Sequence, residues 1–167
     1  VRASRQFGQG FDPAEYLAAA AIDLAWHSLS DADGPVSQDP AAIGAFEADA
    51  LREVGLDVEG LEPRYRSTWF NHIFAGGYSA GYYSYLWAEA LDADGFELVQ
   101  AEGINRATGQ KFRDAILSKG AARDYAEAYR AFRGRDKDTR PLLVRRGLAG
   151  AELEEPSAAA EYAGEGE

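Results

Sequence analysis

Apolar residues along this chain recur mostly at helical spacing, and Pro, Gly and Asp or Asn residues cut the pattern into helix-sized pieces. Asp12 followed by Pro13 reads as an N-cap with proline at the first helical position, opening a helix that runs to about residue 29. Tyr16, Ala20, Leu24 and His27 share one face of it, with Leu17, Ala21 and Ala25 alongside. Asp39 and Pro40 repeat the capping arrangement. The helix they open carries Ile43, Phe46, Ala50, Leu51 and Val54 on one side and ends at Gly55. Trp69, Phe70, Ile73 and Phe74 then form an apolar cluster, a short strand or a helical turn, ahead of Gly76 and Gly77. A long helix from Tyr78 to about residue 101 follows, closed by Gly103. Asn105 caps a helix over roughly 106–118, with Phe112, Ile116 and Leu117 facing in and Gly120 stopping it. Asp124 opens a shorter one with Tyr125, Ala128, Tyr129 and Phe132 as its packed stripe, while Arg130, Arg133, Arg135 and Lys137 predict a solvated basic face. A last helical turn returns Leu142, Leu143 and Leu148 to the body. The fold class these patterns predict is all-α.

The stretch from Trp69 to Glu89 stands apart, because aromatic residues, one of only two histidines and a Gly pair crowd into it. On a helix starting just after the glycines, Tyr78, Tyr82 and Tyr85 fall at i, i+4 and i+7 on one face. Tyr83 and Trp87 form a second pair, and Gly77, Gly81, Ser84 and Ala88 make a seam of small residues that lets another backbone approach. Glycines have no Cβ, so the loop can visit φ > 0 and change shape cheaply. His72 beside a row of phenols suits the gripping of peptide carbonyls. The same spacing also suits an amphipathic core whose hydroxyls reach surface partners, and His27 suits a packing or capping role.

Composition narrows the function classes. The net charge of −11 repels polyanions, which argues against a nucleic-acid partner. Zero cysteines rule out a disulfide framework and a thiolate metal site, and they fit a cytoplasmic location. No apolar run has the length of a membrane span. The segment 149–167 carries six acids and no base, so it is expected to be an acidic disordered tail after a folded unit over 1–148. Arg64 and Arg66, flanking Tyr65, suit solvated ion pairs with the acids of this chain or the anchoring of a carboxylate.

The run His72-Ile-Phe-Ala-Gly-Gly-Tyr78-Ser-Ala-Gly-Tyr82-Tyr-Ser-Tyr85 resembles the C-terminal signature of the thimet oligopeptidase and peptidyl-dipeptidase Dcp family of zinc metallopeptidases. The likeness extends from Phe7-Gly-Gln-Gly-Phe11 through Glu102-Gly-Ile-Asn-Arg-Ala-Thr-Gly109 to Arg145-Arg-Gly-Leu148, and the step from His72 to Tyr78 is similar to the Dcp branch. The resemblance implies the C-terminal helical part of a zincin-type catalytic domain that hydrolyses short peptides. In it, Tyr85 and Tyr78 look like the catalytic phenols, Tyr85 donating to the oxyanion. His72, Tyr78, Tyr82 and the Gly76-Gly77 loop look like the substrate-binding set. The family's zinc is held by an HExxH helix, and this sequence has only His27 and His72, neither followed by Glu. The expectation is therefore a zinc enzyme whose metal ligands are not in this chain. Together with the Val1 start, it suggests truncation, a missing N-terminal part as partner, and no turnover from this chain alone. The alternative is a non-catalytic helical module that binds peptides.

Overall fold

The computed structural model describes residues 6–150. The expected acidic tail lies, from residue 151 onward, outside the described residues. Helices α1 (Phe11–His27), α2 (Pro40–Glu53), α3 (Asn71–Phe74), α4 (Ser84–Glu102), α5 (Arg106–Phe112), α6 (Tyr125–Arg133) and α7 (Arg140–Arg146) carry the fold, and no strand occurs among the described residues. The all-α class holds.

Local chemistry explains most boundaries. Asp39 accepts a hydrogen bond from Ala41 N at 3.1 Å with Pro40 at the first helical position, as the sequence predicts. At the other end of α2, Gly55 takes φ +71° and Leu56 N–H reaches back to Leu51 O at 2.8 Å, a Schellman turn. The turn seats Leu56 against Ala18, Ile22 and Leu51. Asn105 accepts from Ala107 and Thr108 at the start of α5, and Asp124 accepts from Glu127 at the start of α6. Beyond Phe112 the predicted helix continues as a wider π turn over Arg113–Leu117, where Leu117 is exposed.

Several expectations need correction, and among the residues expected to pack, Val54 and Tyr125 are exposed. Helix α1 begins at Phe11 rather than after Asp12, because Gly8 turns the chain early and its carbonyl takes the Phe11 and Asp12 N–H groups. Asp12 therefore sits in the first turn, where its charge complements the helix dipole. The buried face of α1 is Ala18, Ala19, Ala20, Ile22 and Asp23, while Leu17 and Leu24 are exposed. Alanines win this face because close approach by α2 and by the aromatic segment leaves no room for larger groups. Helix α4 begins at Ser84, six positions after Tyr78. Gly77 at φ +82° and Ala80 at φ +52° break helical geometry before it. Finally, the basic run is not simply a solvated face. Arg133 and Arg135 converge on Asp94, Arg130 pairs with Asp136, and Lys137 lies 4.2 Å over the Trp87 ring.

Three packing centres result, one of them formed by Ala19, Ala20, Phe70, Ile73 and Tyr82. Helices α1 and α2 lie against each other, with Trp26 wedged onto Phe46 at 4.0 Å between ring centres. Helix α4 lies against α7 and α6, with Ala90, Ala93 and Leu142 at the contact. The Asp94 side chain is fully buried there. It accepts from Tyr129 Oη at 2.6 Å, Arg133 Nε at 3.1 Å, Arg135 Nη2 at 2.5 Å and Asp138 N at 3.2 Å. Burial alone would raise the Asp94 pKa, but the hydrogen bonds from Tyr129, Asp138 and Arg133 outweigh it and hold it below the ordinary carboxylate value.

Asp94→Ala should therefore lower unfolding stability by about 3 kcal/mol, because it removes the shared buried acceptor of Tyr129, Arg133 and the Asp138 N–H and leaves Arg133 with Glu97 alone. A folded-state pKa lowered below the unfolded one contributes stability that is complete above about pH 4 and is lost as pH falls through the folded value. Urea titrations of both proteins at neutral and acid pH check this: the difference between them should shrink on acidification.

Candidate functional site

The segment from His72 to Tyr85 is built outward from two helix ends. Helix α3 presents His72, and its first two carbonyls are bonded by the turn that follows: Gly76 N–H donates to Asn71 O at 2.8 Å and Tyr78 N–H to His72 O at 3.0 Å. That closure brings the Tyr78 ring to 6.0 Å from the His72 ring. The two glycines serve different needs. A Cβ on Gly76 would lie 2.8 Å from His72 Cα and 2.9 Å from His72 O, so the close approach itself excludes a side chain. Gly77 has open space around it and is required only by its φ of +82°.

Past the turn, helix α1 takes over as the support. Asp23, wholly buried, accepts from Ala80 N at 2.9 Å through Oδ1 and from Tyr82 N at 2.8 Å through Oδ2. His27 Nδ1 stands 2.8 Å from Asp23 Oδ1, which adds a third neighbour to the carboxylate. Tyr16, two turns earlier on the same face, donates its hydroxyl to Tyr82 O and stacks on the Tyr82 ring at 5.1 Å. Both backbone polar groups of Tyr82 are thus taken by side chains of α1. Ser79 Oγ closes the segment onto Ile73 O.

The four residues singled out by the sequence meet. Tyr78 and Tyr85 stack at 5.1 Å, Tyr82 meets Tyr85 edge-on at 5.4 Å, and His72 lies 5.8 Å from Tyr82. They meet at a turn, not along a helical stripe, and at different depths. Tyr82 is 4% exposed and belongs to the core with Phe70 and Ile73, while Tyr85 is 43% exposed and His72 and Tyr78 are half-buried. Ser84 and Ala88, members of the small-residue seam, are exposed. Burial, then the neighbouring Tyr65 phenol, pushes the Tyr82 pKa up to about 12, with Arg64 acting in the opposite direction. The hydrogen bond with the Tyr78 phenol, then burial, raises that of Tyr85. These phenols remain protonated donors at neutral pH. Of the two candidate arginines, Arg66 is committed to Glu47 at 3.0 Å and to Glu62, while Arg64 is exposed.

The residues that position this site escaped the sequence reading. Asp23 sits in an otherwise apolar run, Ala-Ala-Ala-Ala-Ile-Asp-Leu-Ala-Trp, and an acid in that company was the available signal. Tyr16 and Ala80 gave no comparable one. The described residues contain no group of three or more His, Asp or Glu side chains that could hold a metal ion. His27 faces Asp23, and the half-buried His72 has the rings of Tyr65, Phe70, Tyr78 and Tyr82 as neighbours, so these residues do not fit a zinc site.

Comparison with known proteins matches residues 1–148 to the model of peptidase family M3. Over 149 residues, 89% of this chain, the sequence is 42% identical to a dipeptidyl carboxypeptidase of Salmonella typhimurium and 41% identical to one of Escherichia coli. The matched part is 21% of the length of each of those proteins. Oligopeptidase A of Escherichia coli is 51% identical over 82 residues, 48% of this chain and 12% of that protein.

The glycine pair gives a paired test. Gly76→Ala should cost about 1–3 kcal/mol and collapse the near-ultraviolet circular dichroism of the stacked tyrosines, because the new methyl group pushes on backbone. Gly77→Ala should cost about 1 kcal/mol through left-handed strain and leave that signal in place.

Proposed function

The chain belongs to peptidase family M3, and on that premise we propose that it forms the substrate side of a peptide-hydrolysing site in a zinc peptidyl-dipeptidase or oligopeptidase acting on short peptides. The observation that carries this reading is the convergence of His72, Tyr78 and Tyr85 on one accessible face, with ring centres of His72 and Tyr78 at 6.0 Å and of Tyr78 and Tyr85 at 5.1 Å.

Each residue then has a physical task. When a peptide carbonyl is attacked, its carbon becomes tetrahedral and its oxygen gains negative charge, which calls for a donor already aimed at it. Tyr85 is the exposed phenol of the set, its raised pKa keeps the proton in place, and its stack on Tyr78 fixes the ring. Tyr78 and His72 hold the substrate backbone near the scissile bond through its carbonyls. Tyr82 works from beneath, its buried ring supporting both His72 and Tyr85. Gly76 and Gly77 shape the turn that presents Tyr78. Arg64, exposed beside this cluster, suits the substrate carboxylate better than Arg66 does. The metal's ligands, in this reading, belong to a part of the peptidase outside these 167 residues. A cytoplasmic place of action fits the lack of cysteine, and no helix among the described residues is long and apolar enough to cross a membrane.

A non-catalytic peptide-binding module is the second reading, in which the same convergence of His72, Tyr78 and Tyr85 grips a peptide without cutting it. In the full-length peptidase, Tyr85→Phe should lower kcat by about 10²–10³ and leave KM within roughly twofold. An unchanged kcat overturns the role of Tyr85. Peptide binding that needs His72 and Tyr78, with no hydrolysis by the full-length protein under any zinc loading, supports the module instead.

A further inference from the structure

We propose that Asp23 and Tyr16 are positioning residues for peptide hydrolysis, acting through the backbone of Tyr82 to set the Tyr78–Tyr85 pair; this rests on the functional reading above. Tyr82 lies between the two functional phenols, four residues after Tyr78 and three before Tyr85. Its N–H goes to Asp23 Oδ2 at 2.8 Å and its carbonyl accepts from the Tyr16 hydroxyl. The orientation of the peptide planes on both sides of Tyr82 is therefore dictated by helix α1, and with it the direction in which the chain leaves toward Tyr85.

Ala80 shows how much the carboxylate is asked to hold. A non-glycine residue at φ +52° is in a strained conformation, and the Ala80 N–H donates to Asp23 Oδ1 at 2.9 Å in that conformation. Left-handed alanine persists only where surroundings impose it. Without the acceptor, Ala80 relaxes toward negative φ, and the Tyr78 side of the pair moves relative to the Tyr85 side. Asp23 has no path to the substrate, because it is wholly buried beneath the segment. Its effect on turnover must pass through the phenols.

Asp23→Asn is the fitting perturbation. It keeps the shape but replaces one acceptor oxygen with an NH2 group that confronts a backbone N–H. In the full-length peptidase, a shift of the phenols of the order of 1 Å should lower kcat roughly 10- to 100-fold, with a much smaller change in KM. A merely structural role would lower the yield of folded enzyme, or multiply into every background alike. The discriminating measurement is a double-mutant cycle with Tyr85→Phe, using enzyme matched for folded content by near-ultraviolet circular dichroism. Asp23→Asn should cost less than about twofold in kcat when Tyr85 is already Phe. If its factor persists undiminished beside Tyr85→Phe, the positioning role is overturned while the functional reading stands. If Tyr85→Phe alone leaves kcat intact, the functional reading fails and this inference falls with it.

Should Asp23→Asn not fold, Tyr16→Phe takes its place. It removes one hydroxyl and keeps the stacked ring, so a fall in kcat of several-fold, on the order of 3- to 10-fold, is expected. That loss too should vanish beside Tyr85→Phe, and full multiplication of the two effects overturns the proposal.

Discussion

A carboxylate buried in an apolar helix face is the constraint on which the rest of this molecule turns. Removing the Asp23 charge from water carries a penalty of several kcal/mol, recovered only if donors meet its lone pairs. Helix α1 cannot supply them, because its own N–H groups are spent in the helix. The donors come from Ala80 and Tyr82, and His27 closes the remaining side. The fold therefore has one low-energy place for the aromatic segment. Any register that moves Tyr82 from the α1 surface leaves a bare charge in the core. Packing of α1 and placement of the aromatic segment are thus one constraint.

The same device recurs at two other connections, which makes it a rule of this chain. Glu47, buried on α2, accepts from Ser67 N at 2.6 Å and from Arg66 at 3.0 Å, so the descent into the aromatic segment is tied to α2. Asp94, buried on α4, accepts from Asp138 N and gathers Tyr129, Arg133 and Arg135. In each case a helix lends an acid to a backbone N–H of a distant irregular stretch. Those stretches would otherwise carry buried donors without partners, which folded proteins rarely tolerate. A chain without disulfides or strands, as its described residues are, can hold loops in fixed shape this way.

How much of this could be read from residue order follows from the range of each interaction. Asp39, Asn105, Asp124 and Gly55 act within a few positions of themselves, and their capping roles were legible. The clustering of His72, Tyr78, Tyr82 and Tyr85 was legible as well, since a turn and a helix both bring near neighbours together. What periodicity could not show is that Asp23 competes, across 59 positions, for the Tyr82 N–H that a helix from Tyr78 would have bonded to the Tyr78 carbonyl. The helix start moved to Ser84 for that reason. Arg133 and Arg135 were misjudged in the same way: basic residues on a short amphipathic helix look solvated until a buried acid 39 and 41 positions away is known.

The depth at which each phenol sits connects this architecture to chemistry. In the proposed function, donors stabilise a developing oxyanion well only if they need no reorganisation when the charge appears, and a free tyrosine on a flexible loop would fail that requirement. Here Tyr82 is sunk into the core and bonded at both backbone groups, Tyr78 is tied through its N–H to His72 O, and Tyr85 rests on both of their rings. The exposed phenol is thus the last member of a stack whose lower members are fixed by α3 and α1. Rigidity passes outward from a buried acid to the group nearest solvent. The glycines fit that scheme: Gly76 lets two strands of backbone touch and Gly77 supplies the one conformation that returns the chain to the cluster. Their contribution lies in how compact the turn is, and compactness is what lets a side chain at the surface inherit the order of the core.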